Sequence, residues 1–96
     1  MFQVIIGMKA RENLVQIREY IAQDSIFYSI KTVEEIIKRA NNLAYFPYMG
    51  KRVEIHSKKA RQIIYKSYKI FYEIKFNRVY ILQIFHHSRD ISNLKI

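Results

Sequence analysis

The sequence contains no cysteine among its 96 residues. Disulfides and thiolate metal sites are therefore excluded, in keeping with a reducing compartment. There are only two glycines and one proline, and no glycine-rich phosphate-binding loop. Long apolar runs are also missing. The opening MFQVIIG lacks a basic leader and is far too short to span a bilayer. It reads as a strand, and the chain reads as cytoplasmic with no membrane partner. The three histidines lack ligand-like spacing, so neither a metal site nor a cofactor is expected. No serine has a histidine and a carboxylate at an informative spacing, which leaves nucleophilic catalysis without support. There is no repeat, no low-complexity tract and no linker. The whole of 1–96 reads as a single domain.

Acidic residues are scarce, 8 against 17 basic, for a net charge of +9. The imbalance is uneven. Residues 1–50 carry 6 basic and 5 acidic side chains, whereas residues 51–96 carry 11 and 3. A field of this kind draws in a polyanion or an acidic protein. The plainer alternative is a soluble basic surface.

What the chain has in quantity is β-branched and aromatic residues, concentrated in residues 60–90. Tyr68, Ile70, Tyr72, Ile74 and Phe76 alternate with Lys69, Phe71, Glu73 and Lys75, the period of a strand. Lys66-Ser67 and Asn77-Arg78 are short enough to be hairpin turns. The expected result is an antiparallel meander over 61–66, 68–76 and 79–87. Earlier, Ala10, Leu14, Ile17 and Ile21 recur at helical spacing. Asp24-Ser25 breaks that helix and caps another. The second helix places Ile26, Ile30, Val33, Ile37, Ala40 and Ala44 along one stripe, which Ile36 and Leu43 widen. So short a connection forces an antiparallel helical hairpin, and the sheet is the partner available to its apolar side. Pro47 and Gly50 end the helix. Residues 51–59 show no clear period and read as a basic loop. The expected fold is α+β, ordered β-α-α-β-β-β. A helical hairpin covers one face of a four-stranded, mostly antiparallel sheet and leaves the other face uncovered.

This order, with certain residues, resembles the RelE/ParE superfamily of toxins from type II toxin–antitoxin modules. The resemblance rests on Ile17-Arg18-Glu19-Tyr20-Ile21-Ala22, on Leu43-x-x-Phe46-Pro47-x-x-Gly50, on Arg61, on Tyr68-Lys69-Ile70-Phe71-Tyr72, and on Ile81-Leu82-x-Ile84-x-His86-x-x-Arg89-Asp90. It spans essentially the whole chain and leans to the ParE, or plasmid-stabilisation, branch. It implies one of two activities. ParE-like members block DNA gyrase by protein–protein contact, and RelE-like members cut messenger RNA on the ribosome. An inactive member is a third option. A cognate antitoxin is expected in each case. Exposed apolar surface could also pair two toxins, as a dimer or as a heterotetramer with antitoxin.

For RNA cleavage, Arg61, Lys69 and Arg89 would stabilise the phosphorane, His86 or His87 would act as general acid, and Glu54 as base. Lys69 stands where the ribonuclease branch prefers arginine, and lysine lacks the planar fork that grips two oxygens. Either histidine could equally end a strand on a backbone carbonyl, and His56 reads as a surface residue. For target binding without chemistry, the anchors would be Arg61, Lys69, Tyr72, His87 and Arg89. Tyr65, Tyr68, Tyr72 and Tyr80 could stack on bases or simply pack within the sheet.

Overall fold

A computed structural model describes residues 1–55 and 57–86. Strand β1 (Gln3–Ile6) leads directly into helix α1 (Met8–Ala22), then α2 (Ile26–Asn41) and a single 3-10 turn (Asn42–Ala44). Four strands follow: β2 (Lys51–Ile55), β3 (Lys58–Tyr65), β4 (Tyr68–Lys75) and β5 (Arg78–His86). The sheet has five strands in the order β1-β5-β4-β3-β2. All neighbours are antiparallel except β1 and β5, which run parallel.

The α+β class and the helical hairpin match the sequence expectation, but the sheet has five strands instead of four. Residues 51–59 are not a loop. Val53 pairs with Ala60 and Ile55 with Lys58, so this stretch forms a hairpin whose turn contains Ser57 at φ 65°. The period-2 signal of Val53 and Ile55 is diluted by Lys51, Arg52 and Glu54. Charged residues of this kind are typical of edge strands, where they discourage pairing with another chain.

The main core lies between the hairpin and the sheet. Ala10 and Leu14 of α1, and Ile36 and Ala40 of α2, meet Ile70, Tyr72, Val79, Ile81 and Ile84. The alternation on β4 is therefore as expected for Tyr68, Ile70, Tyr72 and Ile74. Phe76 departs from it. It occupies the two-residue turn with Asn77, is 88% exposed, and both residues have positive φ. The inward stripe of α2 also differs in part from expectation. Ile36, Ala40 and Leu43 are buried as expected and Val33 and Ile37 pack against the core, but Ser29 and Thr32 are buried whereas Ile26 and Ile30 are exposed. The Ser29 hydroxyl is satisfied within the helix by donating to the Ile26 carbonyl at 2.6 Å. Ser25 caps α2 by accepting from the Tyr28 amide at 3.1 Å.

The sheet face away from the helices is left uncovered by them, as expected, and carries a small core of its own. Phe71, Ile55 and Ala60 are buried there, with Val53, Leu82 and Phe85 packed around them. Phe71 meets Phe85 edge-on at 6.4 Å. A bulge makes this possible. Phe71 pairs with Gln83 but Tyr72 with Ile81, so Leu82 is an extra residue that re-aims β5. Ile64 is half exposed on this face, but most large exposed apolar side chains lie elsewhere, including the outer side of the helices (Tyr20, Ile26, Phe27) and the segment just after α2 (Tyr45, Phe46, Tyr48, Met49).

Candidate functional site

Arg61 and Tyr72 face each other across β3 and β4 on the helix-bearing side of the sheet. Both are turned to the segment that follows α2. The Tyr72 hydroxyl donates to the Pro47 carbonyl at 2.8 Å and accepts from the Gly50 amide at 2.9 Å. The Arg61 guanidinium donates to the carbonyls of Gly50 at 2.8 Å and Tyr48 at 3.1 Å, and stacks over the Tyr48 ring at 5.3 Å. Burial raises the Tyr72 pKa above its ordinary value, while the Gly50 amide and the Arg61 charge pull it back in part. Gly50 is needed here for close approach. A Cβ would collide with the Tyr72 hydroxyl and come within 2.9 Å of the Gln62 carbonyl.

This corner changes what the two residues can do. Tyr72 is fully buried, so it cannot touch a target or stack on a base. Tyr65 is also buried, at 8% exposure, beneath Arg39. Arg61 is held by two carbonyls and a ring. Lys69 lies on the opposite face, in a row with Ile64 and Phe85. Arg61 and Lys69 therefore do not converge on one phosphate. Glu54 lies on edge strand β2 opposite Lys59, whereas His86 ends the row Tyr65–Tyr68–His86 three strands away. The offset along the strands alone is about 20 Å, so Glu54 cannot serve as base to a His86 acid. His87, Arg89 and His56 lie outside the described residues.

His86 does have surroundings of interest. Its ring meets Tyr68 edge-on at 5.6 Å. Together with Asn13, Gln16, Ile17 and Tyr20 these rings line a groove of about 650 Å³ at one end of the sheet. Burial raises the Tyr68 pKa, and the neighbouring Tyr28 and Tyr20 hydroxyls raise it further. A second groove, of about 550 Å³, runs between edge strand β1 and the helices. Its walls are Val4, Ile6, Leu14, Val33 and Ile37, with Arg11 and Arg18 also lining it. Arg11 donates to the outward Ile6 carbonyl at 3.1 Å. No helix among the described residues is long and apolar enough to cross a membrane.

Residues 4–91 match the model of the ParE toxin of the parDE type II toxin–antitoxin system. The chain belongs to the ParE toxin family. It is thus the toxin component of a type II toxin–antitoxin module. Among solved structures, the toxin is similar to a chain of the chromosomal ParDE system from P. aeruginosa. That match has a TM-score of 0.76 and 19% identity, over 90% of this chain and 96% of the other. It is also similar to a chain of the RelBE2 toxin–antitoxin complex from Mycobacterium tuberculosis. Here the TM-score is 0.67 at 19% identity, over 88% and 96%. Identities this low speak to the fold. No curated protein matches the sequence.

Two features of this ParE-family toxin were missed by sequence reasoning, though both left a signal. Arg11 and Arg18 are seven apart, which puts them on one side of α1. Tyr45, Phe46, Tyr48 and Met49 form an apolar run where a helix has ended, in a position usually filled by polar residues.

Proposed function

We propose that this ParE-family toxin arrests growth in the cytoplasm by binding DNA gyrase through protein–protein contact, without cutting RNA. The observation that carries this reading is the placement of Arg61 and Lys69 on opposite sheet faces. A ribonuclease must bring cations, acid and base to one scissile phosphate. Here one cation is committed to loop carbonyls, the other faces away, and Glu54 is remote from His86. Lys69 remains a candidate anchor for the target, with His87 and Arg89 on the C-terminal segment.

The reading is tested with purified toxin. Gyrase supercoiling should be inhibited, and messenger on stalled ribosomes should remain intact by primer extension. Normal supercoiling at large toxin excess removes the gyrase assignment. Ribosome-dependent cleavage that disappears in His86→Ala/His87→Ala restores the ribonuclease alternative.

The groove along β1 offers the antitoxin a seat. Its apolar floor is flanked by Arg11 and Arg18, and β1 is a sheet edge. An acidic, amphipathic segment fits that chemistry, through side-chain burial, charge pairing and the free strand edge. Arg11→Glu/Arg18→Glu should then weaken antitoxin binding without affecting the fold.

A further inference from the structure

The segment between the 3-10 turn and β2 combines exposure with rigidity. Tyr45, Phe46, Tyr48 and Met49 are 65, 65, 62 and 61% exposed. Single exposed apolar residues are ordinary, but a contiguous set marks a contact surface. Its backbone is fixed at many points. The Tyr45 and Phe46 amides bond to the Asn42 carbonyl, and the Met49 amide to that of Phe46. Tyr72 clamps Pro47 and Gly50, while Arg61 holds Tyr48 and Gly50. A surface ordered in advance loses little entropy on binding, as a hot spot requires.

We propose that residues 45–49 are the surface through which the toxin grips its target protein, and that Tyr72 and Arg61 are the residues that position it. The partner presents an apolar pocket rimmed by carboxylates. Charge fixes that rim. Gly50 leads straight into Lys51 and Arg52, both exposed and neither in an ion pair among the described residues. From residue 42 to residue 53 there is no acidic side chain. The observations favour a protein over a nucleic acid. Arg61 is already bonded to carbonyls, and beside the exposed cations Phe46 and Met49 add apolar bulk suited to a pocket and not to a phosphate backbone. The proposal deepens the protein-binding reading given above and rests on it.

The test compares wild type with Phe46→Ser/Met49→Ser, in growth assays and in binding to purified gyrase. The variant should melt at the wild-type temperature, stop inhibiting growth, and bind gyrase about 30-fold more weakly, as expected for truncated hot-spot residues. A folded variant that inhibits growth as well as wild type overturns the proposal. So does a wild-type chain that neither inhibits growth nor binds gyrase. If wild type inhibits growth without binding gyrase, and the variant does not inhibit, the gyrase assignment falls while the loop proposal stands. Should the double variant fold poorly, Lys51→Glu/Arg52→Glu replaces it, and undiminished growth inhibition then removes the acidic rim. Loop-dependent binding of single-stranded RNA, with no protein bound, overturns the choice of partner.

Discussion

Removing one oxygen atom, in Tyr72→Phe, tests how the loop after α2 is held. The ring would stay packed in the main core, so little apolar burial is lost. The Gly50 amide would lose its acceptor and the Pro47 carbonyl its donor. A buried polar group left without a partner costs about 1–3 kcal/mol, and Gly50 is itself buried. We therefore expect a loss of about 2 kcal/mol, or about 10 °C in Tm for a domain of this size. Urea unfolding of the isolated toxin measures it, read as a lower midpoint at unchanged slope. Gly50→Ala attacks the same contact from the other side, because its Cβ meets the Tyr72 hydroxyl. Overpacking of this sort costs about 1–3 kcal/mol. The two changes share one contact, so they should not add. In the Tyr72→Phe background, Gly50→Ala should cost less by about 1 kcal/mol, and not zero, since the ring Cε1 at 2.8 Å and the Gln62 carbonyl at 2.9 Å remain in the way. A Tm shift under about 2 °C for Tyr72→Phe, or strict additivity, would refute the bridging role of the hydroxyl.

Other consequences follow from single contacts. Ser25→Ala removes the α2 cap and should cost about 1 kcal/mol, read by urea unfolding. Phe76→Asn should stabilise by about 0.5–1 kcal/mol, because Phe76 holds φ 51° while 88% exposed and asparagine suits that conformation better. A destabilised Phe76→Asn would mean that the ring makes a contact the fold depends on. Tyr68 and Tyr72 both have folded pKa values raised above 10.0, chiefly by burial. The folded state favours the neutral phenol, so this contribution is complete below pH 10 and is lost as pH rises through the higher folded values. Thermal melts across the alkaline range should show this fall, and Tyr68→Phe/Tyr72→Phe should flatten it.

Much of this fold was legible because the sheet strands are strongly patterned. Tyr68, Ile70, Tyr72 and Ile74 announce both the strand and its inner face. The hairpin at 51–65 was hidden because an edge strand with three charges out of five residues looks like a loop. The α2 stripe was misread for a different reason. Hydrophobicity favoured Ile26 and Ile30, but the smaller Ser29 and Thr32 take the buried positions, and the Ser29 hydroxyl does not preclude burial because it bonds within the helix. The failure of Arg61 and Lys69 to meet was readable in principle. A two-residue turn at Lys66-Ser67 forces Tyr65 opposite Tyr68. Antiparallel register then sets Arg61 opposite Tyr72 and Lys69 opposite Ile64, on different faces. The burial of Tyr72 was not readable from sequence. Its hydroxyl is satisfied by Pro47 and Gly50, over twenty residues away, and only the folded chain brings them together.

The groove and the loop are not remote from each other. Phe2, which precedes β1, donates its amide to the Ala44 carbonyl at 2.9 Å and meets the Tyr48 ring edge-on at 6.1 Å. An antitoxin segment laid along β1 from Ile6 towards Gln3 therefore ends beside the exposed loop. Neutralisation could then be simple occlusion, with no change of toxin conformation. Methionine oxidation reads this directly, since exposed thioethers oxidise readily and covered ones do not. In free toxin Met49, 61% exposed, should oxidise about as readily as Met1 at 90%. In the complex Met49 should be protected, and Arg11→Glu/Arg18→Glu should restore its oxidation by loosening the groove. Equal oxidation of Met49 with and without antitoxin would separate the two surfaces, and would require neutralisation to work through a change in the toxin's own structure.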